Sequence, residues 1–556
     1  MMNKSLTNKS LTFAMAQINT IVGNMTANIS TILTYAHRAA DHHADIIVFP
    51  EMAITGYPID DLVFQNDFRQ QVSTAPQHLA QQLQDEGLGD LTVIVGCLEV
   101  EPTPDHDEEI WYTENHNSAY VISHGSIQTI YQKHYLPTYG VFDELRLFAP
   151  GDHITTITVN GYRIGLAICE DLWREGGTVS QLAKENIDVL VSLNGSPYTE
   201  GKMTVRHHLL HDRAREVNAP SIYLNQVGAQ DNLVFDGGSF IIDPNGTLLL
   251  QQPQFTEDLS YWTLTGHQSH ATSSTPLASN TEQIYQACVL GLKDYMAKNH
   301  MTQVVLGLSG GIDSALVATM AVDALGANNV YGIAMPSHIS SKDSLTDATT
   351  LAHNLGCHFS VEPIHNMVTS INNQLHVHGL AADNLQSRVR GLILMAYANK
   401  HHLVALDTTN KSELAVGYFT MYGDSVGGYA PISDVYKTRV YELARWRNNL
   451  TTSSITHPIP ESTLTKPASA ELHENQKDED DLPPYPVLDS FLYQYIEQGK
   501  KAADIHLPEL SETDKNRLIH MISAAEWKRR QLPQGPKISA CALCKDRNIP
   551  VSQQFI

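Results

Sequence analysis

The feature that most constrains the fold is an alternation. Short β-rich apolar runs, among them Ile46-Ile47-Val48-Phe49, Leu91-Thr92-Val93-Ile94-Val95 and Val189-Leu190-Val191-Ser192-Leu193, are separated by helix-length segments such as 27–42. Strands interleaved with helices make an α/β fold. The pattern lapses between Gly266 and Asn280, where the chain turns polar and loses all periodicity, so 266–280 reads as a linker. Asn280 then stands as an N-cap with Gln283 three residues on, and Ile284, Cys288, Leu292 and Tyr295 follow at helical spacing. A second α/β unit begins there, giving expected domains at 11–265 and 281–556, within what 556 residues can hold.

Charge and cysteine usage narrow the setting. Lys and Arg number 36 against 60 Asp and Glu, and the resulting net charge of −24 repels polyanions. A general nucleic-acid binder and a protein held on an anionic membrane are therefore excluded, while small anions can still bind locally. Six scattered cysteines make no disulfide framework, and Cys541 and Cys544 form a lone Cys-x-x-C with no second pair to complete a zinc site. The 27 histidines give no compact metal motif either. The apolar run Leu11–Ala16 is too short for a signal-peptide core, and no stretch approaches the roughly 18 apolar residues of a membrane span. The expected location is the cytoplasm. The acidic stretch Glu471–Asp481 reads as a solvated surface loop, the alternative being a loop ordered over a ligand.

Three segments of the first half carry chemistry: Phe49-Pro50-Glu51, Tyr131-Gln132-Lys133 and Ile168-Cys169-Glu170-Asp171. Glu51 and Cys169 directly follow apolar runs, and a residue at a strand end is held stiffly where open α/β folds place their sites. A thiolate beside a base and a cation is a competent nucleophile. Taken singly, Cys169 is an ordinary small core residue and Lys133 a surface cation. Taken together and in this order, the segments resemble the catalytic motifs of the nitrilase superfamily. The resemblance implies a four-layer αββα sandwich with Glu51 as general base, Lys133 stabilising the oxyanion and Cys169 as nucleophile on an amide carbon. Against that family's glutamine-cleaving members, Tyr57, Phe142, Glu170 and Ser196 would line the glutamine pocket.

In the second half, Ser309-Gly310-Gly311-Ile312-Asp313-Ser314 follows the run Val304–Leu308 and opens a helix. Its glycines can turn sharply and present backbone N–H groups to phosphate at the helix start. No Gly-Lys-Ser/Thr ends it, so it is not a Walker loop. The segment resembles the loop of the ATP pyrophosphatases, which implies a Rossmann-like domain. With Asn384–Gly391, Thr408–Glu413, Tyr422-Gly423-Asp424 and Pro431–Lys437, it resembles the NAD synthetases; the nitrilase-like half marks the glutamine-dependent type.

That resemblance implies glutamine, ATP and deamido-NAD as substrates, Mg²⁺ as the metal and a homo-oligomer. Ser309 to Ser314, Thr408 and Lys437 would contact the ATP phosphates, Asp313 and Glu413 would hold Mg²⁺, and Asn384, Arg388, Tyr418, Asp424 and Lys545 would meet deamido-NAD. Thr409 departs from the pattern, which has glycine there; a β-branched residue disfavours φ > 0, so the backbone is expected to differ from the family's at that position, strain being stored only if it keeps a glycine-like conformation. Ammonia would pass from Cys169 to the phosphate loop by a tunnel. The rival readings are an amidotransferase of the same class with another acceptor, and an inactive scaffold.

Overall fold

The computed structural model describes residues 9–100, 115–266, 268–269, 271, 274–473, 476–543 and 545–555. Four linker positions, 267, 270, 272 and 273, lie outside the described residues, as do Cys544 and positions 474 and 475 of the acidic stretch. Two compact units divide the chain, 1–230 with 234–278 and 231–233 with 279–556.

In the first unit, strands Ser10–Gln17, Ile46–Val48 and Thr92–Val100 run parallel at the centre of a seven-stranded sheet. Strands Tyr162–Ile168, Val189–Asn194 and Ser221–Asn225 form the parallel core of a six-stranded one. Side chains alternate across each strand. Ile164, Leu166 and Ile168 therefore pack with Phe13, Met15, Ile46 and Val48 of the other sheet. The intervening Ala167, with Leu190 and Tyr223, packs outward with Leu172, Leu182 and Leu210 from the covering helical segments. Helices Met25–Asp41 and Asn66–Asp85 lie on the outer face of the seven-stranded sheet, each with one apolar stripe buried. The result is the four-layer αββα sandwich.

The second unit holds a four-stranded parallel sheet in the order His358–Val361, Val330–Ala334, Val304–Gly307, Val404–Ala405, flanked by helices. Helix Ile312–Leu325 follows the central strand after a four-residue loop, and Asp313 falls in its first turn. The order reverses at that strand, which opens a crevice beyond the strand ends. Helix Asn280–Lys298 starts one residue earlier than the spacing implies. Ser279, in extended conformation, is the N-cap and its hydroxyl accepts the Glu282 N–H at 3.2 Å, so Asn280 is the first helical residue. No described helix is long and apolar enough to cross a membrane.

Candidate active sites

In the first unit the site forms beyond the carboxyl ends of three strands. Glu51 lies three residues past Val48, Cys169 directly follows Ile168, and Gly195 directly follows Asn194. Lys133 directly follows the strand Ser126–Gln132 and is fully buried. Its ammonium donates to Glu51 Oε1 at 2.7 Å and lies 2.8 Å from Glu144 Oε2. Glu51 also accepts from Asn117 Nδ2 at 2.7 Å and from the Gly195 N–H at 2.6 Å. A Cβ on Gly195 would stand 3.2 Å from Glu51 Oε2, so the close approach favours glycine.

Burial works against the Lys133 charge, but the adjacent Glu144 and Glu51 carboxylates outweigh it and hold the lysine well above its ordinary value. Burial pushes the Cys169 thiol well up, Glu51 adds to this and Lys133 pulls it back. Attack by this thiol therefore calls for a base to take its proton. Cys169 has φ +42°, a left-handed backbone that strains a non-glycine residue by about 1–3 kcal/mol.

The expected glutamine-pocket residues divide. The Tyr57 hydroxyl donates to Glu144 at 2.8 Å and so belongs to the same cluster. Glu170 accepts from the Tyr139 hydroxyl at 2.8 Å, and Phe142 packs edge-on against the Tyr139 ring. Ser196 is held from beneath by buried Arg206, whose guanidinium donates to its carbonyl and is fixed by Asp236. Glu144, Asn117 and Tyr139 are absent from the sequence reading. Nothing in Asp143-Glu144-Leu145 separates that acid from a surface one until the loop after Lys133 folds back.

In the second unit one cavity is lined by Ser309, Gly311, Ile312, Asp313, Ser314, Thr408, Glu413, Tyr418, Asp424 and Lys437. Gly310 supports the loop from behind: its φ is +78° and a Cβ there would meet the Ser344 carbonyl oxygen at 2.3 Å. Ser309 Oγ accepts the Gly311 N–H, and the Ser314 hydroxyl donates to the Gly311 carbonyl, each at 3.1 Å. Lys437 places its ammonium between the two acids, 2.5 Å from Asp313 Oδ2 and 3.1 Å from Glu413 Oε1. Asn410 ties them further, donating from Nδ2 to Asp313 while Glu413 caps its backbone N–H. Burial raises the Glu413 carboxyl, and Lys437 opposes the rise.

Asn384 reaches this region through the Thr420 hydroxyl at 2.8 Å, and Asp424 accepts the Thr420 N–H at 2.7 Å. Arg388 is exposed and donates to the Met421 carbonyl, and neither it nor Lys545 is among the cavity-lining residues. Arg390, one helical half-turn from Arg388, lines the cavity instead.

One expectation needs correction. The acidic stretch is not simply a solvated loop. Glu471 accepts from the Ser344 hydroxyl at 2.6 Å, Asp478 is buried and accepts from the Tyr485 hydroxyl at 2.8 Å, and both line the cavity. A hydroxyl donor supports each acid, on one oxygen in the case of Asp478. Thr409, in keeping with its β-branched side chain, does not take a glycine-like backbone, for it is not among the residues with positive φ. Its N–H and hydroxyl both donate to Asp407 Oδ1, at 2.7 and 2.6 Å.

Thr409→Gly therefore loses a charge-assisted bond and gains unfolded-chain freedom. Urea melts should register a loss of about 1–3 kcal/mol, with Thr409→Ser losing less. Burial pushes the Asp407 carboxyl up to about 7, although the Thr409 donors pull it down. A folded value above the unfolded one, near 4, means that this group's contribution is full below about pH 4 and is lost as pH rises through about 7. Asp407→Asn should flatten the stability profile across that window, again by urea melts.

Comparison with known proteins matches each unit separately. Residues 12–272 match the carbon-nitrogen hydrolase family and residues 284–532 the NAD synthase family. Over 551 residues the chain is 39% identical to the glutamine-dependent NAD(+) synthetase of Acinetobacter baylyi, with 98% of each chain covered. It is 38% identical to that of Aquifex aeolicus, covering 98% of this chain and all of the other. Among solved structures, the glutamine-dependent NAD+ synthetase of Acinetobacter baumannii in complex with ADP superposes with a TM-score of 0.77 at 37% identity, covering 98% of both chains. Identity at this level, over 98% of the chain and so through both units, places the chain in the family of glutamine-dependent NAD(+) synthetases.

Proposed function

We propose that the chain releases ammonia from glutamine in its first unit and uses ATP in its second to amidate deamido-NAD. Glutamine-dependent NAD synthesis is the activity of the family to which it belongs along its whole length. The observation that carries the assignment of roles is the Lys133 ammonium locked between Glu51 and Glu144 beside Cys169.

Glu51 takes the thiol proton as Cys169 Sγ attacks the glutamine carboxamide carbon, and Lys133 stabilises the oxyanion that forms. The tetrahedral species collapses to a γ-glutamyl thioester as the leaving nitrogen takes up the proton and departs as ammonia. Water, deprotonated by Glu51, then cleaves the thioester to glutamate and frees the thiol. Tyr57, Phe142, Glu170 and Ser196 form the pocket around this substrate.

In the second unit the nicotinate carboxylate of deamido-NAD attacks the α-phosphorus of ATP and pyrophosphate leaves. Ammonia then displaces AMP from the acyl adenylate. The loop Ser309–Ser314 cradles the phosphates with Thr408 and Lys437, while Asn384, Tyr418 and Asp424 orient the dinucleotide, Arg388 and Lys545 meeting the part of it that lies outside the cavity. The donor set suits Mg²⁺. Asp313 and Glu413 offer hard carboxylate oxygens, and the buried Asp478 Oδ1, in the same cavity, has no hydrogen-bond partner. Mg²⁺ held there would neutralise the charge on the phosphates.

The same reading has the protein working in the cytoplasm as a homo-oligomer. Exposed Leu375, Leu380 and Leu392 on helices His365–Leu375 and Leu380–His401 offer apolar surface for a second copy. Incubation with ATP, Mg²⁺, glutamine and deamido-NAD should yield NAD⁺, AMP, pyrophosphate and glutamate in equal amounts. AMP formed with a purine or amino-acid acceptor, and none with deamido-NAD, would favour the other-acceptor reading.

A further inference from the structure

Cys169 and Lys133 reach the first site from different strands of different sheets, and their mutual placement needs a physical tie. We infer that Asp171 is this tie, a positioning residue that fixes the nucleophile's turn against the loop of the oxyanion lysine; the inference rests on the glutaminase roles given above to Cys169 and Lys133.

The carboxylate of Asp171 is fully buried. Its Oδ1 accepts the N–H of His134 and the N–H of Tyr135, each at 3.1 Å. Its Oδ2 accepts the N–H of Ile168 at 2.9 Å and the hydroxyl of Tyr131 at 2.6 Å. Two donors follow Lys133 directly, a third stands two residues before it, and the fourth immediately precedes Cys169. Both oxygens thus accept two bonds each, filling the capacity of an ionised carboxylate. All four donors are neutral. A buried charge hydrogen-bonded only by neutral donors, with Lys133 favouring it through space, is still an expensive way to stabilise a fold, so its use here calls for a geometric reason.

The backbone of Cys169 supplies one. A non-glycine residue at φ +42° persists only where its surroundings over-determine it. The bond from the Ile168 N–H to the Asp171 side chain closes the short turn Cys169–Leu172 across the nucleophile, and the other three bonds anchor that turn to the Lys133 strand and loop. Asparagine cannot substitute. Its amide has one acceptor atom, and its NH₂ group would face two of the four donors whichever way it points.

The test uses the full chain with ATP, Mg²⁺ and deamido-NAD, measuring glutamate release and, separately, ammonium-driven NAD⁺ formation. Asp171→Asn should lower kcat for glutamine cleavage by about 10²-fold or more, the loss expected of an ångström-scale misplacement, with KM for glutamine changed far less. Ammonium-driven synthesis should be unchanged. Tyr131→Phe removes one of the four bonds and should move kcat in the same direction by a smaller factor, which keeps the inference testable if Asp171→Asn does not fold. A change confined to melting temperature or to KM, with kcat intact in the folded variant, would overturn it. Cys169→Ala, run alongside, separates the two layers: glutamine use surviving in Cys169→Ala defeats the glutaminase assignment itself. Glutamine use lost in Cys169→Ala but intact in both Asp171→Asn and Tyr131→Phe defeats only the tie.

Discussion

Cys169→Ala should make no NAD⁺ from glutamine and should go on making it from ammonium salts, increasingly well as pH rises. Alanine has no group that can form the thioester, and losing the nucleophile of a coupled catalytic set costs on the order of 10⁶ in rate. The surroundings sharpen the expectation. With Glu51 and Lys133 in contact at 2.7 Å and both side chains buried, the remaining machinery can polarise a bound carboxamide but has no atom to attack it with. The second unit carries its own phosphate loop and acids, so ammonia supplied from solution meets an intact synthetase site. Only unprotonated ammonia is a nucleophile, which sets the sign of the pH dependence. The measurement is NAD⁺ formed with each nitrogen donor across a pH series. Retained glutamine-driven synthesis would mean that the nucleophile is misassigned; loss of both activities would mean that the substitution acts on more than the glutaminase.

What the sequence made legible has a physical pattern. Glu51, Cys169 and the phosphate loop stand at or just past the ends of apolar strands, where the backbone path is set by the sheet. Strand ends can be read from hydrophobic runs, so these positions could be named without coordinates. Glu144 and Asp478 could not. Each reaches its site by way of a non-periodic loop, and an acid in such a loop looks like a solvated charge until its buried donors are known. Arg390 illustrates a finer limit, because Arg388 and Arg390 share one helix and only its rotation decides which guanidinium faces the cavity. Thr409 illustrates another. A threonine where the family has glycine implies a different backbone without saying what holds it, and Asp407, two residues earlier, supplies the acceptor that makes an ordinary threonine conformation favourable. Ser279 and Asn280 are both competent N-caps, and the choice between adjacent residues lies below the resolution of a sequence pattern.

The other large effect belongs to Asp313 and Glu413. Asp313→Ala or Glu413→Ala should nearly abolish AMP formation with glutamine and with ammonium alike. Either change removes one of the two carboxylates that now flank the Lys437 ammonium, at 2.5 and 3.1 Å. The consequences differ before ATP arrives. Without Asp313, Lys437 keeps Glu413, and Asn410 loses the acceptor of its side-chain amide. Without Glu413, the short helix Lys411–Val416 also loses its capping box, so this variant should be the less stable of the two by about 1 kcal/mol. Once ATP is present the two variants converge, because each leaves the triphosphate with a metal site short of a carboxylate, and charge on the leaving pyrophosphate goes poorly neutralised. Raising Mg²⁺ should recover little, since the missing oxygen is a fixed ligand. Glutamate release measured without acceptor should survive in both variants wherever the wild type shows it. AMP formation and urea melts, run on both variants and on Glu413→Gln, separate the metal role from the cap. Glu413→Gln keeps a side-chain oxygen able to accept the Asn410 N–H, so a variant as stable as the wild type yet unable to make AMP supports the metal assignment. Near-normal AMP formation by both alanine variants at saturating Mg²⁺ would sink it.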